Sequence, residues 1–282
     1  MRVLVYFDKN KQQVAYDTAA LLCRQFVAEL DLLVTDGTTD LALWQALTSA
    51  EVREVQGSGP LTQRLAAVCA RRRYDLVVAA LADHRGLLRL LLRSRVGQLI
   101  HVAPATIWVA RGKPAMLRRI VVGVSGGPQT EEDVRLAILI AEAFGASITL
   151  VHVVSQLPLV FVTPDEYRMS LRSSGGLGAM DPAIAGVTQA EQLVRAAGVP
   201  VTVELRAGIV LDELQAACAG KDADLLIVGA HQMTPAAGAP YLEDLAELIT
   251  QAVKIPTLVI HAGSDWQAWN IAAVGGTASA AG

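Results

Sequence analysis

Tyr74-Asp-Leu-Val-Val-Ala-Ala80 is written a second time as Ala223-Asp-Leu-Leu-Ile-Val-Gly229. Downstream of each copy a proline leads another apolar run, Pro104-Ala-Thr-Ile-Trp-Val-Ala110 and Pro256-Thr-Leu-Val-Ile-His261. Upstream, Arg2-Val-Leu-Val-Tyr-Phe-Asp8 answers Arg119-Ile-Val-Val-Gly-Val-Ser125. These runs are continuously apolar rather than alternating, as expected of strands buried on both faces. A fold duplicated in one chain has two equivalent sites, and the differences between the copies show which site has kept its chemistry.

Working outward, the first half alternates such runs with helical patterns. Strands are expected at 2–7, 31–35, 52–55, 75–80 and 105–110, and helices at 14–29, 41–48, 60–73 and 86–102. Strand–helix alternation implies right-handed crossovers and a parallel sheet. The segment from Arg111 to Arg118, with Gly112 and Pro114, reads as a linker. The second half repeats the order, with strands near 119–124, 147–154, 200–205, 224–229 and 257–261. Its helices fall near 130–144, 182–197, 209–219 and 241–253. Residues 155–180 are a long insertion after the second strand, read either as a lid or partner-binding arm or as an ordinary surface insertion. The expected divisions are 1–112, 118–262 and a tail over 263–282. The Ala-, Gly- and Ser-rich tail carries Trp266 and Trp269, which could anchor it on the body or on a second subunit.

Composition narrows the class. A length of 282 residues suits two domains, and a 52% apolar content fills two cores. No run reaches the roughly 18 apolar residues of a membrane span, and the first residues form a strand rather than a signal segment. A cytoplasmic location is the expectation. Cys23, Cys69 and Cys218 lack Cys-x-x-Cys spacing and read as structural thiols. The net charge of −3 hides an asymmetry. Residues 1–113 carry 15 Lys/Arg against 10 Asp/Glu, and residues 114–282 carry 9 against 17. Opposite signs favour docking of the halves on each other or on a protein partner. The basic half lacks the interleaved aromatics of a single-strand binder, which argues against nucleic acid.

In an open parallel sheet, ligands bind beyond the carboxyl ends of the strands. The first half places Asp8 there after its first strand, and Leu81-Ala-Asp-His-Arg-Gly86 after its fourth. Arg85, Arg89, Arg93 and Arg95 follow. The second half places Ser125-Gly-Gly-Pro-Gln-Thr130 and Gly229-Ala-His-Gln-Met-Thr234 at the matching points. Both halves resemble universal stress protein domains, and the chain as a whole resembles a tandem of two. The resemblance covers all but the insertion and the tail. It implies two consecutive five-stranded parallel α/β domains, Rossmann-like and akin to the adenine nucleotide alpha hydrolases. It also implies pairing of the two halves through their fifth strands, at 105–110 and 256–261.

Nucleotide-binding members of that family resemble one another in an Asp that ends strand one and holds adenosine. They share a glycine motif after strand four: Gly, two residues, Gly, nine residues, Gly, then Ser or Thr. Glycines let backbone N–H groups approach phosphate oxygens, and a helix start adds a favourable dipole. The first half keeps Asp8 and Ser94, but the three glycine positions read Ala80, Asp83 and Arg93. Asp83 would repel phosphate. Arg85, Arg89 and Arg93 either offset that as phosphate clamps or form a solvated or ion-paired helix face. The second half keeps Gly229 but has Gln232 at the next glycine, and Glu243 and Asp244 at the helix start compete with an anion. Ser125 stands where the adenosine Asp belongs. Ser125, Gly126 and Gly127 also resemble the Ser-Gly-Gly pyrophosphate loop of adenylating enzymes. The alternative is a tight turn, with Thr130 or Ser125 capping the helix.

Three readings remain. The first is a non-catalytic stress or signalling protein that acts through a protein partner or self-association, with degenerate nucleotide sites. The second is a switch that binds ATP or AMP at one site, the first half being favoured by Asp8, Ser94 and the arginine row. The third is an adenylating or slow ATP-hydrolysing enzyme built on the Ser125 loop. No residue can be named as nucleophile or base, so no catalytic set is assigned. No metal site is expected: His84 and His231 lack further ligands, and His101, His152 and His261 fall in core elements.

Overall fold

The computed structural model describes residues 1–34, 40–48, 50–56, 59–80, 95–112, 116–127, 129–154, 182–220, 222–230, 245–261, 266 and 269–271. In the first half, β1 (Arg2–Phe7), α1 (Gln12–Gln25), β2 (Glu29–Val34), α2 (Leu41–Thr48) and β3 (Glu51–Gln56) come first. They are followed by α3 (Leu61–Arg71), β4 (Leu76–Ala80), α4 (Arg95–Val102) and β5 (Thr106–Val109). The second half opens with β6 (Arg119–Gly123), α5 (Thr130–Phe144), β7 (Ser147–Val154), α6 (Pro182–Ala196) and β8 (Val201–Ala207). It closes with α7 (Val210–Gly220), β9 (Leu225–Gly229), α8 (Leu245–Ala252) and β10 (Thr257–Ile260).

Among the described residues, ten strands form one sheet, in the order β3-β2-β1-β4-β5-β10-β9-β6-β7-β8. Each half runs parallel within itself, and the halves meet where β5 and β10 pair antiparallel. The expected pairing of the fifth strands is thus present, with Trp108 opposite Leu258 and Ile107 opposite Val259. One consequence bears directly on function. The carboxyl ends of β1 and β4 lie on one rim of the sheet, and those of β6 and β9 on the opposite rim.

Strand alternation divides the core into two layers, each continuous across both halves. Val3 and Val5 share one face with Ile120, Val122 and Ile227, beneath α1 and α5. Leu4 and Tyr6 share the other with Val121 and Val228, beneath α3 and α7. Aromatic rings clamp the junction: Phe26 lies edge-on to Phe144 at 6.3 Å and to Trp269 at 5.6 Å between centroids.

That cluster accounts for one departure from the sequence reading. The helix expected to reach residue 29 stops at Gln25, and Phe26 turns extended with φ −126° and ψ 142°. Phe26 forms an antiparallel bridge with Ile271, and Val27 N–H donates to the Asn270 carbonyl. Residues 269–271 thus pack on the body: Trp269 is 3% exposed and lies against Phe26, one of the two anchorages expected of the tail's tryptophans. Strand two starts earlier than expected because Glu29 registers with Arg2. The insertion, His84, His231 and the starts of the helices expected from 86 and 241 lie outside the described residues.

Arg53 and Arg72 of the basic half hold Glu29 and the buried Asp31, whose carboxylate also accepts from the Tyr74 hydroxyl at 2.7 Å. Among the described residues, no helix is long and apolar enough to cross a membrane.

Ile107 and Leu258 are fully buried on opposite faces at the β5–β10 junction. Placing a lysine at either position buries an unpaired charge. Ile107→Lys and Leu258→Lys are each expected to cost more than about 3 kcal/mol. A thermal melt of each variant checks this, and wild-type melting of both would contradict the junction.

Candidate functional site

On the first rim, Asp8 follows β1 and its N–H donates to the Ala80 carbonyl at 3.0 Å, which ties it to the end of β4. Its side chain is only 14% exposed. Arg95, the first residue of α4, donates from Nη1 to Asp8 Oδ1 at 2.5 Å and from Nη2 to the Tyr6 hydroxyl at 3.4 Å. The residue singled out for adenosine is therefore engaged by the chain's own guanidinium, a charge-assisted bond worth about 1.5–3 kcal/mol. Ala80 is fully buried at the first glycine position. Asp83, Arg93 and Ser94 lie outside the described residues.

On the opposite rim, Val124 N–H donates to the Val151 carbonyl at 2.9 Å, and the chain then turns through Ser125, Gly126 and Gly127. The turn is held internally. Ser125 Oγ accepts from Gly127 N–H at 3.2 Å and lies 3.4 Å from Thr130 Oγ1. One of the N–H groups a phosphate would use is thus already taken. Neither Ser125 nor Thr130 caps α5: Gln129 is the N-cap, with no side-chain bond. Gly126 has φ +77°, and a Cβ on it would stand 2.1 Å from the Ala183 carbonyl oxygen at the start of α6. Glycine is required there by a close backbone approach. The first turn of α5 carries Glu131, Glu132 and Asp133, of which the two glutamates suit the helix dipole and repel an incoming anion.

Gly229, at the end of β9, has a packing reason of its own. A Cβ there would stand 2.5 Å from Oδ2 of Asp133 on α5. Asp133 is 2% exposed, and its Oδ1 has no hydrogen-bond partner among the described residues. Burial, aided by the neighbouring Glu132 charge, pushes its carboxyl from the ordinary 3.8 up to about 7. The sequence reading missed this residue, because an acid in the first turn of a helix passes as a dipole partner. The available signal was phase: Asp133 falls on the apolar stripe of Ala137 and Ile140, at spacings of four and seven.

A cleft of about 700 Å³, counted out into open solvent, lies at the ends of β6, β7 and β9 beside α7 and α8. Val151, Leu214, Val228 and Ile249 make its walls apolar, and Ser125 and His152 are its polar members. His152 Nδ1 lies 2.8 Å from the Val124 carbonyl. A carbonyl only accepts, so Nδ1 carries the proton and the ring is a satisfied structural histidine, as expected. His101, by contrast, is exposed on α4 rather than in the core. Among the described residues, no three His, Cys, Asp or Glu side chains are grouped to hold a metal. Burial pushes Cys23 and Cys218 up to about 12 and Cys69 up to about 11, which leaves no reactive thiolate among them.

The Asp133 shift sets a direction for pH dependence. The folded chain holds a proton that the unfolded chain has released, so this group's contribution to stability falls as pH rises from about 4 to about 7. Asp133→Asn removes that decline and is expected to stabilise the chain at pH 8 by roughly 2–4 kcal/mol relative to wild type. Urea melts of both proteins at pH 5 and pH 8 check this. A variant that keeps the wild-type decline would contradict it.

The comparisons with known proteins agree with this architecture. No curated protein matches the chain. A Pseudomonas aeruginosa protein described as a universal stress protein shares the fold with TM-score 0.67 at 17% identity, over 92% of each chain. A protein of unknown function from the same organism aligns with TM-score 0.65 at 15% identity, again over 92% of each. A universal stress protein from Archaeoglobus fulgidus aligns with TM-score 0.65 at 12% identity, over 93% of this chain and 98% of that one. The model of the universal stress protein family matches residues 116–261. More than half of the sequence lies within that match, and the chain belongs to the universal stress protein family.

Proposed function

We propose that this protein is a non-catalytic member of the family that acts through association with itself or with a protein partner, its two nucleotide sites being degenerate. On this reading, residues 1–112 form a second domain of the same kind as 118–262. The identical strand order 3-2-1-4-5 read from the outer edge of each half supports it. The observation that carries the proposal is the Asp8–Arg95 ion pair. A ribose approaching Asp8 must share or displace a guanidinium that the fold places there. On the other rim, the Ser125 turn spends its Gly127 N–H on its own hydroxyl and leads into a helix whose first turn carries the Glu131 and Glu132 carboxylates. Neither arrangement offers an open anion cradle.

A second reading has one observation in its favour. Asp8 still stands at the carboxyl end of β1 beside β4, with a cation next to it. If Arg95 swings from Asp8 onto a phosphate, the first half becomes an ATP- or AMP-responsive switch.

Calorimetric titration of the full chain separates the two. The degenerate-site reading expects no binding of Mg-ATP or AMP tighter than about 1 mM, or about −4 kcal/mol. Micromolar binding that disappears in Asp8→Ala would overturn it in favour of the switch. Phosphate or pyrophosphate release from ATP that disappears in Ser125→Ala would instead point to an enzyme.

A further inference from the structure

The junction of the halves is built around a point where equivalent positions meet. Trp108 and Leu258 face each other at its centre. Gly97 lies eleven residues before Trp108, and Glu247 lies eleven before Leu258. They are the same position in the two halves, on α4 and α8, which pack against each other on one face of the sheet. At a true twofold axis, identical residues would meet here. Instead, a Cβ built on Gly97 would stand 2.0–2.1 Å from the carboxyl atoms of Glu247. The glutamate occupies the space that the glycine leaves.

Glu247 is 7% exposed, and its Oε1 accepts from Gln251 Nε2 at 3.0 Å. Nearby, Arg111 of the first half reaches across and donates from Nη2 to the Thr250 carbonyl in the last turns of α8. A cation at a helix carboxyl terminus is a favourable placement. The residue matching Arg111 in the other half is His261, so the two halves carry different side chains at this position as well.

We infer that the junction is a matched heterotypic surface: each half's fifth-strand face accepts the other half's face and rejects its own kind. Two second-half faces would force two Glu247 carboxylates into the space where one fits. That arrangement is penalised by overlap and by like charge. Two first-half faces would set Gly97 against Gly97 and leave a void the size of a glutamate side chain. The partner this face fits is therefore the complementary half of this chain. Copies of the chain can share the face only by exchanging halves reciprocally, and any other assembly must use a different surface. Specificity of this sort comes from a repulsive element as well as an attractive one.

The test exchanges the two residues. Gly97→Glu alone is expected to lower the melting temperature of the full chain by about 10 °C. Glu247→Gly alone is expected to lower it by a few degrees, through the cavity it leaves. The double variant G97E/E247G restores most of the Gly97→Glu loss, because the matched pair is re-formed with its members reversed. One glycine and one glutamate remain in helices before and after the exchange, so helix propensity cancels. A double variant that loses the sum of the two single losses would overturn the inference.

Should Gly97→Glu fail to fold, Gly97→Ala supplies the same decision by a change of sign. It is expected to lower the melting temperature of the wild-type chain and to raise it in an Glu247→Ala background, where Ala regains its ordinary helical advantage over Gly. A rise in both backgrounds would equally overturn it.

Discussion

The antiparallel pairing of β5 with β10 is the constraint on which the rest of this structure depends. Both strands are four residues long, fully buried and almost wholly apolar. Left unpaired, each would be an apolar sheet edge, the kind of surface that recruits other chains. Joined, they place both edges at the centre of one ten-stranded sheet, and the two core layers run through without a break. The same pairing sends the carboxyl ends of the two halves to opposite rims. The two candidate sites are therefore separate surfaces rather than walls of one cleft.

Most of this architecture was legible in the sequence. Strands buried on both faces write continuous apolar runs, and their recurrence in the second half, as at 74–80 and 223–229, marked the repeated strand–helix order. The helix after β1 was harder to end. Nothing between Gln25 and Glu29 breaks a helix locally, and the stop is imposed by Phe26 packing against Phe144 and Trp269, residues far away in the chain. Local pattern carries no trace of such a contact. The same holds for Gly97, which looks like an unremarkable helix-weakening glycine until Glu247 is placed against it.

The candidate sites were legible as positions but not as states. Sequence located Asp8, Ser125, Gly126, Gly127 and Gly229 at strand ends. Three-dimensional packing then supplied reasons for them other than a phosphate. Arg95 engages Asp8, Ala183 dictates Gly126, and Asp133 dictates Gly229. Glycine is ambiguous in a single sequence, because a close approach by a ligand and a close approach by the chain itself demand the same residue. Asp133 shows the converse difficulty. A buried carboxyl facing β9 is not told apart by its acidic character from its half-buried neighbours Glu131 and Glu132.

On the reading proposed above, the duplication is an architectural device first: two halves made unequal so that they bind each other, with degenerate nucleotide sites on their rims. The most direct measurement is amide hydrogen exchange on the intact chain, read at Thr106–Val109 and Thr257–Ile260. If the junction makes the halves one cooperative body, these amides exchange only through global unfolding, at the same free energy as those of β1 and β6. Exchange at the junction that is faster than in β1 and β6 would show two independently opening halves and would contradict the account.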